Sequence, residues 1–201
     1  MDSIPTAFQS SRLRYVRADE EDESFMEIIP QIALDPVIQA LASSGMLRSN
    51  RKQDYVEYAK AVANAMLGVS IRLLPAEAQK LNLPEDTIIG VINLGWGGWD
   101  ANTAHHRNAS IGLSLIEKYQ NKGYGREAIN WIVDWAFLHA GLHTLSMGVA
   151  SFNPRGIHLY ESIGFTLEGR RRETIWFNGG WHDELEFGMT ETDWKRLRNR
   201  T

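Results

Sequence analysis

The sequence contains no cysteine, so disulfides, zinc–thiolate sites and a thiol nucleophile are excluded before any motif is considered. Nowhere do about eighteen apolar residues follow one another, and the opening Met1-Asp2-Ser3-Ile4-Pro5 lacks a basic segment leading into an apolar run. The expectation is a protein in a cytoplasmic setting with no membrane partner. Positive charge is short as well: the formal net charge is -4, which leaves no broad basic surface for phosphate backbones and argues against nucleic acid as a partner. The local clusters Arg170-Arg171-Arg172 and Lys195 to Arg200 read as solvated faces. No Gly-x-Ser-x-Gly elbow is present, so no side chain stands out as the nucleophile of a covalent acyl-enzyme. His182-Asp183-Glu184-Leu185 spells a retention signal but is internal, and Asn108-Ala109-Ser110 matches a glycosylation acceptor without a signal peptide.

What is present is ordinary globular material: 201 residues, 43% hydrophobic and 23% charged. A domain of that size buries roughly 70% of its unfolded surface, and no repeat or linker divides the chain. One domain over residues 1–201, with its core from about 11 to 192, is therefore expected. Leu13 to Arg17 reads as a strand, and Phe25, Ile28, Ile29, Ile32 and Ala33 recur at helical spacing. A second helix is predicted over Asp54 to Leu67. Strands follow over Val69 to Leu74 and Thr87 to Leu94, joined by a polar insert with Pro75 and Pro84 that reads as a hairpin loop. Gly95-Trp96-Gly97-Gly98-Trp99-Asp100 is a glycine-rich turn whose tryptophans either line a pocket or cap the core.

The second half is more regular. Ala109 to Ile116 reads as a strand and Gly125 to His139 as a helix closed by Gly141. Leu145, Met147 and Val149 alternate with small or polar residues, the period of a sheet strand. Asn153-Pro154 is a cap followed by a first-turn proline, and Gly164 stops that helix. Glu173 to Phe177 and His182 to Met189 flank Asn178-Gly179-Gly180, a hairpin signal, and Thr190-x-x-Asp193 is a capping-box pattern for a terminal helix. Strands and helices alternate, so the fold class is mixed α/β.

Between strand and helix lies Gln120-Asn121-Lys122-Gly123-Tyr124-Gly125-Arg126, where unpaired main-chain N–H groups and the positive helix end suit a pyrophosphate. Gly123-x-Gly125-x-x-Ala128 mimics a dinucleotide fingerprint, but the next strand ends in Ala150-Ser151-Phe152-Asn153 without the acidic residue that motif requires. A P-loop is excluded because no Lys-Ser or Lys-Thr follows the last glycine. Asn153 then sits at a strand end and Tyr160 about two turns into the next helix, before Gly164-Phe165.

Gln-x-x-Gly-x-Gly, then Asn, then Tyr-x-x-x-Gly-Phe, resembles the Gcn5-related N-acetyltransferase family, closest to its ribosomal-protein N-terminal and spermidine acetyltransferase branch, over about Ile111 to Met189. The resemblance implies a single domain with a mixed, mostly antiparallel twisted sheet, splayed at the cofactor site, with helices on both faces. It implies acetyl-CoA as acyl donor and a primary amine as acceptor, either a small molecule such as a polyamine or a protein N-terminus. Carried over by position, Leu113 and Leu115 offer main-chain groups to the pantetheine and thioester. Gln120, Asn121, Lys122, Gly123, Tyr124, Gly125 and Arg126 form the pyrophosphate loop, Asn153 contacts the coenzyme arm, and Tyr160 sits near the sulfur as the catalytic proton donor.

An alkyl amine with a pKa of about 10.4 is almost wholly protonated at pH 7, so the reaction needs a way to free its lone pair. Many relatives carry a glutamate where this chain has Ser110. Glu173, Asp183 and His106 are the alternatives, each open to a surface or structural reading. His105-His106 does not suggest a metal site, because adjacent strand residues point to opposite faces, and no metal is expected. The acceptor pocket is expected from the first helices, the Trp96 to Trp99 turn and the Trp176 to Trp181 hairpin. Acidic residues from Glu20 to Glu23 lining it would favour polyamines. The exposed aromatics of the hairpin suggest a homodimer. The rival expectation, prompted by Ser110, is an acyl-CoA-binding regulatory module without catalysis.

Overall fold

The computed structural model describes residues 4–43, 45–95 and 101–200, so the Trp96 to Trp99 turn lies outside the described residues. Seven strands form one sheet: β1 (Leu13–Arg17), β2 (Leu67–Leu73), β3 (Ile88–Gly95), β4 (Asn108–Leu115), β5 (Thr144–Ala150), β6 (Thr166–Phe177) and β7 (Gly180–Thr190). Their order is β1-β2-β3-β4-β5-β7-β6, antiparallel at every pairing except β4 with β5. Strand β2 is buried at all its positions, which requires cover on both faces of the sheet.

The helices supply that cover. Helix α1 (Glu23–Ala33) starts where the Asp22 carboxylate accepts from the N–H groups of Ser24 and Phe25, and it buries Phe25, Ile28, Ile29 and Ile32 as their spacing predicts. Helix α2 (Pro36–Ala42) is capped by Asp35 with Pro36 in its first turn, and α3 (Lys52–Ala63) packs on α1, β2 and β3. On the other face lies α5 (Tyr124–Leu138), after a short α4 (Pro75–Lys80). The assignment of faces rests on β4: Leu113 and Leu115 pack toward Gly125, while Ser114 between them meets Tyr58 of α3. Helices α6 (Pro154–Ile163) and α7 (Glu191–Leu197) complete the chain. Wholly buried Ile29, Ile71, Ile89, Ile92, Leu94 and Ile132 fill the core, each removing side-chain surface worth about 1.5–3 kcal/mol.

Three expectations need correction. The insert after β2 is not a plain hairpin loop: Pro75 opens α4, whose Ala78 is buried, because a first-turn proline has its φ already set for a helix. The second predicted helix ends at Ala63 rather than Leu67, since Leu67 begins β2. The hairpin strands β6 and β7 run longer than their alternation suggested; Asn178 (φ 48°) and Gly179 (φ 81°) form the two-residue turn between them. The Thr190–Asp193 capping box forms as read, and Gly164 ends α6 at φ 109°. Among the described residues no single helix is long and apolar enough to cross a membrane; α1 and α2 pass only as a pair, bent by 83°.

Candidate active site

The parallel seam between β4 and β5 is short. It consists of Asn108↔Thr144, Ala109↔Leu145 and Ser110↔Ser146, after which the two strands part. Each keeps its other neighbour: β4 stays with β3 up to Leu115, and β5 stays with β7 up to Ala150. The sheet therefore opens into a wedge whose facing edges carry main-chain groups released from strand pairing. A cleft of about 760 Å³ fills it.

The loop that follows β4 at the open end of the wedge is built for an anion. Asn121 (φ 58°) and Gly123 (φ 82°) both adopt the left-handed conformation, which turns the chain so that α5 points its first-turn N–H groups at the cleft. Two guanidinium groups stand beside it: Arg126 is held by the carbonyl and hydroxyl of Ser162 at 3.2 and 2.6 Å. Arg155 donates to Asn121 Oδ1 and Gln120 Oε1, both at 3.4 Å. Gln120 is fixed by donating to the Leu115 carbonyl at 2.9 Å. These positive groups, the helix end and the open strand edges match the diphosphate and the extended amide arm of a coenzyme A thioester.

Of the residues expected at the site, Leu113, Leu115, Gln120, Asn121, Gly123, Gly125, Arg126, Asn153 and Tyr160 all line the cleft. Lys122 and Tyr124 do not. The Lys122 carbonyl accepts from Arg12 at 3.0 Å, so its role there is to anchor the loop to the chain before β1. Tyr124 turns into the core, donates to Glu77 Oε1 at 2.7 Å and lies under the Arg12 guanidinium, and burial together with Glu77 pushes its hydroxyl up to about 12. Asn153 caps α6 by accepting from the Gly156 N–H at 3.0 Å and donates to the Leu41 carbonyl at 3.4 Å, tying α6 to α2 across the cleft. Tyr160 packs edge-on against Phe187 of β7, and burial raises its pKa above the usual phenol value, so at neutral pH its hydroxyl keeps its proton.

The three bases considered from sequence fall elsewhere. Glu173, Asp183 and His106 are absent from the cleft lining. Asp183 is locked in the hairpin, accepting from the Glu173 N–H at 2.8 Å and pairing with Arg170; those contacts, the N–H bond foremost, hold its carboxyl below the usual range and make it a weak base. Ser110 does line the cleft. So do residues that the sequence did not single out: Arg155, His158, Ile175, Glu184 and, from α2, Ile38, Ala40, Leu41 and Ala42. Arg155 had one available signal, its place two residues past the Asn153 cap in the first turn of α6. Glu184 had none, since its position depends on strand register.

A second cavity of about 400 Å³ adjoins the cleft on the α1–α3 face, sharing Ile38, Ala42, Ser43 and Ser114 with it. Ile32, Gln39, Arg48, Asn50, Asp54 and Tyr58 add to its wall. Its carboxylate is not free: Asp54 accepts from Arg48 at 3.2 Å and from the Arg51 N–H at 2.7 Å, and Arg51 chiefly draws its pKa down. Glu20 to Glu23 line neither cavity, and Trp176 and Trp181 stand exposed at the hairpin tip. Among the described residues no group of three or more His, Cys, Asp or Glu could hold a metal ion.

Comparison with known proteins agrees with this geometry. A family model described as an acetyltransferase (GNAT) domain matches residues 12–166. The spermidine N(1)-acetyltransferase of Vibrio cholerae is 37% identical over 78 residues, 39% of this chain and 45% of that enzyme, so less than half of that relative is matched. An uncharacterized N-acetyltransferase from the SPbeta prophage of Bacillus subtilis is 27% identical over 148 residues, covering 72% of this chain and 80% of that one. The crystal structure of the Vibrio cholerae spermidine N-acetyltransferase with CoA and spermine superposes with a TM-score of 0.73 at 24% identity, covering 92% of this chain and 99% of that one, a likeness of fold.

Proposed function

The chain belongs to the acetyltransferase (GNAT) family of acetyl-CoA-dependent N-acetyltransferases, and from that premise we propose how its own residues carry out the transfer and to what kind of amine. The observation that carries the reading is the wedge between β4 and β5, closed at one end by the left-handed Asn121-to-Gly123 loop. The diphosphate rests on the first-turn N–H groups of α5, with Arg126 and Arg155 beside it. The pantetheine arm then runs along the free edge of β4 at Leu113 and Leu115. Main-chain N–H groups on that edge face the thioester oxygen and stabilise the charge that grows there. The amine and the thioester are held together in one cleft, which replaces a bimolecular encounter by a positioned attack. Tyr160, protonated at neutral pH, gives its proton to the departing sulfur.

The acceptor enters through the second cavity on the α1–α3 face. Among the described residues, the carboxylates lining the two cavities are Glu184 and Asp54, each engaged by arginine, while Arg48, Arg126 and Arg155 add positive charge. A polyamine has several ammonium groups to satisfy, and beyond the one Glu184 oxygen that Arg171 leaves unclamped it finds no further acid there. We therefore read the acceptor as an amine without further positive charge nearby, such as the N-terminus of a peptide, in contrast to the spermidine of the Vibrio cholerae relative.

Thiol release from acetyl-CoA, followed across a panel of peptides, simple monoamines and spermidine, tests both statements. Transfer to a peptide or monoamine is expected, and Tyr160→Phe is expected to lower kcat on the order of a hundredfold. Spermidine as the best substrate would overturn the acceptor assignment. No turnover with any amine would overturn the enzymatic reading.

A further inference from the structure

Glu184 sits on β7 opposite Ala150 of β5 and Arg171 of β6. Two places along β5, Gly148 has no side chain, and Glu184 Oε1 projects over it, 3.6 Å from where a Cβ would stand. Ala150, Gly148 and Glu184 share one face of the sheet, and all three line the cleft. The other carboxylate oxygen, Oε2, accepts from Arg171 Nη1 at 2.9 Å. One oxygen is thus clamped and the other is aimed into the opening.

The face matters. Val149, between Gly148 and Ala150, points the other way and approaches Gly156 of α6. Phe187 also points that way and meets Tyr160. Glu184 and Tyr160 therefore reach the cleft from opposite faces of the split sheet: Tyr160 from the α5–α6 side and Glu184 from the side of α2, Ser114 and the second cavity. An amine that passes from that second cavity into the cleft arrives on the face that carries Glu184.

We propose that Glu184 is the general base of the reaction and that Arg171 is its positioning residue; this rests on the N-acetyltransferase reading above. The Glu184 carboxylate takes one proton from the acceptor ammonium and passes it to solvent. The freed lone pair forms the C–N bond at the thioester carbon as the carbonyl electron pair moves onto oxygen. The second nitrogen proton goes to Glu184, the carbonyl re-forms, the C–S bond breaks, and the sulfur takes the Tyr160 proton. Glu184 restores that proton to Tyr160 through solvent. Two protons leave nitrogen and one joins sulfur, so one is released per turnover.

The test is the pH dependence of kcat/KM for full-length wild type, Glu184→Gln and Arg171→Gln with one amine, alongside acetyl-CoA affinity by calorimetry. Glu184→Gln, which keeps the side-chain shape, is expected to bind acetyl-CoA within about twofold of wild type and to lose roughly 10²-fold or more in kcat/KM at pH 7. Its deficit should shrink steadily as pH rises through the pKa of the amine used, about 8 for a peptide N-terminus and about 10 for an alkyl amine, where the amine supplies its own free base. Arg171→Gln should show a smaller deficit that moves the acidic limb of the profile rather than coenzyme affinity. A Glu184→Gln enzyme as active as wild type, or one whose deficit is the same at every pH, overturns the proposal. If wild type binds acetyl-CoA but acetylates no amine, the underlying reading fails first and the base assignment falls with it.

Discussion

At the scale of single residues, the account depends most on Gly123. Its φ of 82° is in the left-handed region, and a Cβ there would come within 3.2 Å of Arg12 Nη2. Gly123→Ala is expected to cost about 1–2 kcal/mol of stability from backbone strain alone. It should also weaken acetyl-CoA binding several-fold by turning the loop amides; paired chemical denaturation and calorimetry would separate the two. Tyr160 is the contrasting case. Burial raises its pKa, so its proton remains in place through the neutral and mildly alkaline range. A pH profile of kcat with a falling limb that begins well below pH 9 and disappears in Tyr160→Phe would contradict this. Tyr160 was legible because the motif spacing fixes it on one turn of α6. Glu184 was not: its approach to Gly148 is a contact across two strands, and no local pattern encodes the β5–β7 register.

At the scale of elements, carboxylates at junctions do much of the fastening. Glu127 in the first turn of α5 accepts from Ser10 Oγ, from Arg12 N–H and from Arg12 Nε, each at 2.7 Å, and from Ser11 Oγ at 3.0 Å. It pins the chain before β1 onto the helix whose end forms the anion site. Burial alone would raise its pKa, but the hydrogen bonds outweigh it and the net shift is downward. A carboxyl depressed in the folded state contributes stability that is fully present above its unfolded value, about 4.3, and is lost as pH falls through the lower folded value. Thermal melts in that acidic window should show wild type losing Tm more steeply than Glu127→Gln; parallel curves would contradict the assignment. Long elements were legible here. Helix α1 follows from Phe25, Ile28, Ile29 and Ile32, and the turn into α6 from Asn153-Pro154. The short helices α2 and α4 were not, because their opening prolines and few turns look like loop until Ile38 and Ala78 find the core. The far end of α3 was misjudged for a related reason: Met66 and Leu67 continue an apolar pattern that the sheet, rather than the helix, claims.

At the scale of the whole molecule, the sheet has to do two things that conflict. It needs a continuous core, which β2 and β3 supply, and it needs a gap, which the three-pair seam of β4 and β5 supplies. The gap is tolerated because each strand retains a full partner on its other side, so few main-chain groups are left to water or ligand. Alternating strands and helices made the mixed α/β class readable, and the loop motif placed the anion end of the cleft. The acceptor end was less visible, because the second cavity is assembled from α1, α2, α3 and Ser114, which are distant in sequence and carry no shared motif. A ligand that fills the cleft only in the folded chain must stabilise it, by about 2.7 kcal/mol at a hundred times its dissociation constant. The most direct measurement is titration calorimetry of acetyl-CoA into the full-length chain, repeated with Gly123→Ala. One coenzyme per chain, with markedly weaker binding in the variant, is the result expected; a folded chain that gives no binding heat, or a variant that binds as tightly as wild type, would contradict the account.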